Sequence, residues 1–262
     1  MIRKCIFVLM TADSSRVPRF RLGLLLWLAG MLGVVVITIT VLPAFLKDLE
    51  DLPAPLWMIS LASLAQSAVL VALAAWAGVA LAPAVGLHAP GFEAAAAGRP
   101  IVPALRPQLL PGLLSGVLGG VVLFAAFRYA PAAVVEIQRR FSPSLPARVL
   151  YGGITEELLL RWGFMTLLVW LVWRFAQHRL GAPRAGYVWI AILVSSLVFA
   201  AGHLPAAAVL AGVLTADIVA FVIVVNTAFG VLFGYLFWRY GLEAAIIAHA
   251  TAHVVSYVVG LL

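Results

Sequence analysis

The sequence predicts an all-α protein, a polytopic bundle of transmembrane helices. Hydrophobic residues make up 65% of the chain, charged residues 10%, and the mean hydropathy is +1.12. Soluble domains run near ~45–50% apolar and ~25% charged. Apolar stretches of about twenty residues recur, each long enough for a ~30 Å hydrocarbon core. The basic residues collect between them. The net charge of +7 and pI near 10.2 therefore set membrane orientation. No nucleic-acid partner is expected, because no exposed basic domain exists to carry one.

The N-terminal region has a short apolar run from Cys5 to Met10, too short for a signal-peptide core with a clear cleavage site. Cys5 is the single cysteine. It can form no internal disulfide and lacks the histidine context of a nucleophile. The first span, residues 22–46, is read as an uncleaved anchor. An acidic loop with Asp48, Glu50 and Asp51 leads to span two, residues 56–85. A polar, proline-containing connection follows over 88–108. Its low-complexity piece, 93–98, is assigned no role. Span three covers 109–129, where Gly112, Gly116 and Gly120 recur at four-residue spacing and admit a close helix neighbour. The connection 130–148 reads as a short interfacial helix.

Span four, 149–177, carries Glu156, Glu157 and Arg161. His178, beside basic residues at its end, reads as solvated. Span five starts near Tyr187 and meets His203 and then Pro205, which breaks or kinks a helix. Residues 206–214 either continue it or form a separate piece. Span six, 217–240, holds Asn226 and the small-residue pair Gly230 and Gly234. Span seven, 242–262, holds His249 and His253 on one face. The total is seven spans, or eight if 206–214 stands alone. With the N-terminus cytoplasmic, the inner segments hold eleven Lys and Arg and the outer segments five, which favours that orientation. The expected location is a bacterial plasma membrane. The organisation is 1–145 of unassigned role and 146–262 as functional core, within one integrated membrane domain.

A charge at mid-bilayer costs at least ~2.5–3.5 kcal/mol and usually faces the bundle interior or a wet cavity. Glu157 and Arg161 are i,i+4 neighbours and can pair. Glu156 is rotated about 100° away on an α-helix and is left to seek another partner. His203, His249 and His253 supply candidates at similar depth. A carboxylate with imidazoles in a low-dielectric cavity suits general-base chemistry. The competing reading is a transporter whose ionisable groups relay protons. Inverted repeats would favour transport, and none is visible.

The order Glu-Glu-x-x-x-Arg (Glu156, Glu157, Arg161), Phe-x-x-x-His (Phe199, His203), a glycine-rich helix with Asn226, Gly230 and Gly234, and then His249 and His253 resembles the CPBP family, the Abi or CAAX-type intramembrane endopeptidases. The resemblance covers about 150–257. It implies that Glu156 polarises the attacking water, that His203 helps hold it, and that His249 stabilises the oxyanion or assists the base. Glu157 and Arg161 are then a support pair, with Asn226 in support. The family's last motif commonly ends in asparagine, and His253 stands there instead. Histidine also titrates and can bind metal. The expectation is thus an endopeptidase acting on prenylated or other membrane-associated peptides, with the lipid bilayer as its other partner. A proton-coupled transporter or a non-catalytic immunity or scaffold protein is the alternative. No cofactor is favoured. Zinc held by Glu156, His203, His249 and His253 is the other possibility, since the i,i+4 imidazole spacing suits one metal.

Overall fold

The computed structural model describes residues 17–47 and 52–261. Cys5 and the acidic positions Asp48, Glu50 and Asp51 lie outside the described residues. The described chain is helical throughout: α1 Arg19–Leu46, α2 Leu56–Val85, α3 Pro90–Ala96, α4 Ile101–Arg128, α5 Ala132–Arg140, α6 Leu145–Phe175, α7 Ala185–Ala201, α8 Leu204–Ala211, α9 Ala216–Tyr240 and α10 Leu242–Val259. Seven helical segments are long and apolar enough to cross a membrane, with α7 and α8 together making the fifth. The eighth element weighed for 206–214 is α8, which the turn at Gly202–His203 sets off within that same span.

The connection read as polar over 88–108 is more ordered than expected. It contains α3, and α4 begins at Ile101, running through Pro107 and Pro111. Gln108, read as the end of a loop, is buried. Its Oε1 accepts from the Ala244 N–H (3.1 Å) and its Nε2 donates to the Ala104 carbonyl (3.2 Å). One side chain thus ties α4 to the first turn of α10, where the Ala244 N–H also bonds the Gly241 carbonyl. Glu93 also has a part: its Oε1 accepts from the Ala89 N–H at 3.0 Å, at the start of α3.

The four-residue glycine spacing of α4 does what the sequence suggests. Leu110, Leu114, Leu118 and Val122 are exposed and turn an apolar stripe outward. Gly112, Gly116 and Gly120 face α10. A Cβ on them would meet the carbonyl oxygens of Ala244, Ala248 and Ala252 at 3.1, 2.8 and 2.8 Å. Side chains of that helix fill the remaining space, Thr251 at Gly116 and Val255 at Gly120. Without a hydrophobic drive inside lipid, such backbone approach and its dispersion contacts hold helices together. Gly230 and Gly234 bring α9 against Ser196 and Ile192 of α7 in the same way.

Candidate active site

Helix α6 is the centre of the bundle. Arg148–Glu156 and Leu158–Met165 are wound as π-helix, with Glu157 at the junction. A π turn closes i→i+5 bonds and is rare, most often found as a single bulge near functional sites. The wider winding narrows the angle between Glu156 and Glu157 below the 100° of an α-helix. The Thr166 hydroxyl donates to the Arg161 carbonyl five residues back (3.2 Å), absorbing one acceptor of the disturbed ladder. Two contacts anchor the segment to earlier helices. The Thr155 hydroxyl donates to the Gly30 carbonyl of α1 at 2.7 Å, and the Trp162 indole N–H donates to the Ala75 carbonyl of α2 at 3.0 Å.

Glu157 and Arg161 are both fully buried, at 0% exposure. Arg161 Nε stands 3.2 Å from Glu157 Oε2. The pair is coulombic rather than aligned, since neither atom has a hydrogen-bond partner among the described residues. Arg161 Nη2 donates to the Gly230 carbonyl at 3.2 Å. Its guanidinium lies over the rings of Phe199 (4.8 Å) and Phe233 (5.7 Å). Ring faces and one carbonyl so complete the desolvation shell of the cation.

The other oxygen of Glu157 reaches across to α10, where Oε1 lies 2.8 Å from His249 Nδ1. This contact, between residues 92 apart, is absent from the sequence reading. His249 stacks on Phe233 at 4.4 Å and on His253 at 4.9 Å. With Nδ1–H donating to the carboxylate, Nε2 is the free nitrogen. Neutral, it accepts a proton; protonated, it donates. It points toward Gly152. A Cβ there would lie 3.0 Å from His253 Nε2 and 3.5 Å from His249 Nε2. The bare glycine thus leaves a gap on α6 that two imidazole nitrogens face. His253 Nδ1 is buried and has no partner among the described residues.

His203 follows the end of α7. Its Nδ1 is 2.8 Å from the Phe199 carbonyl and its ring meets Phe199 edge-on at 4.8 Å. Asn226 Nδ2 donates to the Val222 carbonyl at 2.8 Å. His203, Asn226, His249 and His253 line one cavity of about 670 Å³. Its walls are otherwise largely apolar, with Phe124, Phe127, Phe221 and Phe229 among them. Arg148, Ser256 and Tyr257 also line it, and the sequence reading named none of these as site residues.

Glu156 is half-buried, one residue from Thr155, and has no hydrogen-bond or ion-pair partner among the described residues. It is not among the residues lining the cavity. The structure therefore gathers His203, Asn226, His249 and His253 around one space, joins Glu157 and Arg161 to it from behind, and leaves Glu156 unengaged beside them. His178, expected to be solvated, is exposed. The zinc set of Glu156, His203, His249 and His253 does not assemble. Among the described residues no three His, Cys, Asp or Glu side chains converge as metal ligands.

A family model described as Type II CAAX prenyl endopeptidase Rce1-like matches residues 139–255. Those residues are an Rce1-like CAAX prenyl endopeptidase family domain. The Rce1-like domain begins in α5 and ends in α10, so it holds Arg148, Glu156, Glu157, Arg161, His203, Asn226, His249 and His253. Neither a curated protein nor a solved structure matches the chain. The family is one of CAAX-type intramembrane proteases. Helices α1 and α2 and all of α4 lie before the Rce1-like domain, yet they supply Gly30, Ala75 and the glycine face against α10.

Proposed function

We propose that the chain is an intramembrane endopeptidase in which Glu156 activates the attacking water. The observation that carries this is the division of labour between adjacent carboxylates. Glu157 is taken by Arg161 and His249, whereas Glu156 keeps its oxygens unengaged among the described residues. A carboxylate without a structural partner can accept a proton from water, and His203 helps to hold that water. The water oxygen bonds to the scissile carbonyl carbon. The resulting oxyanion is stabilised by His249 and His253, whose Nε2 atoms face the Gly152 gap. Collapse breaks the C–N bond, and the proton held on Glu156 passes to the leaving amine.

The substrate class is a membrane-associated peptide, lipidated or embedded. The cavity supports this, with aromatic and aliphatic side chains and three imidazoles in one wall. The N-terminus is assigned to the cytoplasmic side on the distribution of Lys and Arg between spans. The test compares membrane proteomes of cells carrying wild-type protein and E156Q. Peptides cleaved by the wild type should persist uncut in E156Q, a loss of about 10²–10⁴-fold as expected for a general base. Identical proteomes, with both proteins expressed, would remove the enzyme reading and favour a transporter or scaffold.

A further inference from the structure

The charged groups lining the cavity have one sign. Arg128 and Arg148 line it, the imidazoles of His203, His249 and His253 can become cations, and among the described residues no Asp or Glu is in its wall. Arg148 precedes the Glu-Glu pair by eight residues on the same helix. It is half-buried at the start of α6. Its Nε donates to the Pro143 carbonyl at 2.9 Å and its Nη2 to the Ser142 hydroxyl at 2.6 Å. These two tethers fix the guanidinium plane and leave Nη1 without a hydrogen bond among the described residues. No described carboxylate lies within 4.0 Å of Arg148. Charges withdrawn from water are ordinarily paired, and a rigid guanidinium fork is suited to a carboxylate.

We infer that Arg148 is a specificity-determining residue that binds a carboxylate of the substrate peptide and sets the register of the cut. This deepens the endopeptidase reading and rests on it. Eight residues of helix separate Arg148 from Glu156, at most about 12 Å at ~1.5 Å per residue. An extended peptide covers that in roughly three or four residues at ~3.3 Å each. The bound carboxylate therefore lies within about four residues of the scissile bond. It belongs to the chain terminus or to an acidic side chain at that distance.

The test measures equilibrium binding by fluorescence anisotropy to wild type, R148K and R148Q in phosphatidylcholine nanodiscs. The probe is a dye-labelled, S-farnesylated apolar hexapeptide, made as the free acid, as the C-terminal amide, and as an amide ending in Glu. Wild type should prefer the free acid over the plain amide by about tenfold or more, the scale of one hydrogen bond to a charged group. R148Q should lose that preference and R148K keep part of it, because lysine retains the charge without the tethers. If R148Q fails to fold, R148K alone decides, by a reduced preference against an unchanged one. Glu-terminated amide binding like the free acid widens the ligand to side-chain carboxylates; binding like the plain amide restricts it to the chain terminus. Equal binding of acid and amide by wild type, or a preference that survives in R148Q, overturns the inference. So does binding that follows added phosphatidylglycerol rather than the peptide's carboxylate, which would make Arg148 a lipid-headgroup site. A carboxylate preference without any cleavage would sink the endopeptidase reading and the register with it, and leave Arg148 only as a carboxylate-binding residue.

Discussion

Replacing Arg161 with alanine tests the charge arrangement behind the site. The substitution removes the cation 3.2 Å from Glu157 Oε2, the donor to the Gly230 carbonyl, and the contacts with Phe199 and Phe233. Glu157 would remain fully buried with His249 alone for company. Breaking a buried pair by truncating one partner costs ~3–5 kcal/mol. At ~2–4 °C per kcal/mol for a chain of this length, the thermal midpoint should fall by roughly 6–20 °C. Differential scanning fluorimetry of the detergent-purified protein reads that shift, and peptide cleavage reads the site. The double variant E157Q/R161M supplies the sharper comparison. It leaves no uncompensated charge and fills much of the space, so it should melt above R161A despite carrying one more change. An R161A protein that melts within about 2 °C of wild type and cleaves normally would refute the pairing argument. A double variant less stable than R161A would instead assign the effect to lost packing.

Three further expectations concern the gap on α6 and its anchor. G152A should raise intrinsic helix propensity by up to ~1 kcal/mol, yet its Cβ would sit 3.0 Å from His253 Nε2; cleavage should drop while the thermal midpoint holds, and full activity would exclude that gap from the reaction. H253A should lower kcat by ~10²–10³-fold, as loss of one oxyanion donor does, whereas H253N should recover most of it because an amide also donates; equal rates for the two would show that donation is not the role of His253. T155V removes the 2.7 Å bond to the Gly30 carbonyl, a cost of about 1–3 kcal/mol when a buried partner is left unmade, to be read as a lower thermal midpoint.

The sequence made the spans legible because each is an apolar run bounded by charge or proline. Residues 56–85 coincide with α2 to the residue. The error at α4 arose because the proline-containing run up to Gln108 read as a polar connection, and only the tertiary contact to Ala244 shows how the Gln108 side chain is met. Within the site, the Glu157–Arg161 pair followed from i,i+4 spacing, and its side chains meet as that spacing requires. The bond from Glu157 to His249 could not be read, since nothing local links residues so far apart. The π winding was equally hidden, because periodicity arguments assume 3.6 residues per turn. One signal was overlooked: Gly152 and Gly153 directly precede the charged motif, and both are pressed by α10, by His253 at one and Ala250 at the other.

The contact between the glycine face of α4 and the carbonyls of α10 bears on how such a protein can diversify. His249 lies on α10 next to Ala248, whose carbonyl abuts Gly116. Its rotational setting is thus shared with a helix that precedes the Rce1-like segment. Thr155 and Trp162 hand the same dependence to α1 and α2. The boundary of inherited similarity and the boundary of mechanical integrity therefore fall in different places along the chain. The leading helices are free to drift in their lipid-facing surface, where one aliphatic residue serves as well as another. They are not free to add a methyl group on the inner face without displacing the histidine. Transplanting the Rce1-like segment onto foreign leading helices would carry over the reactive groups and lose the alignment that makes them a set.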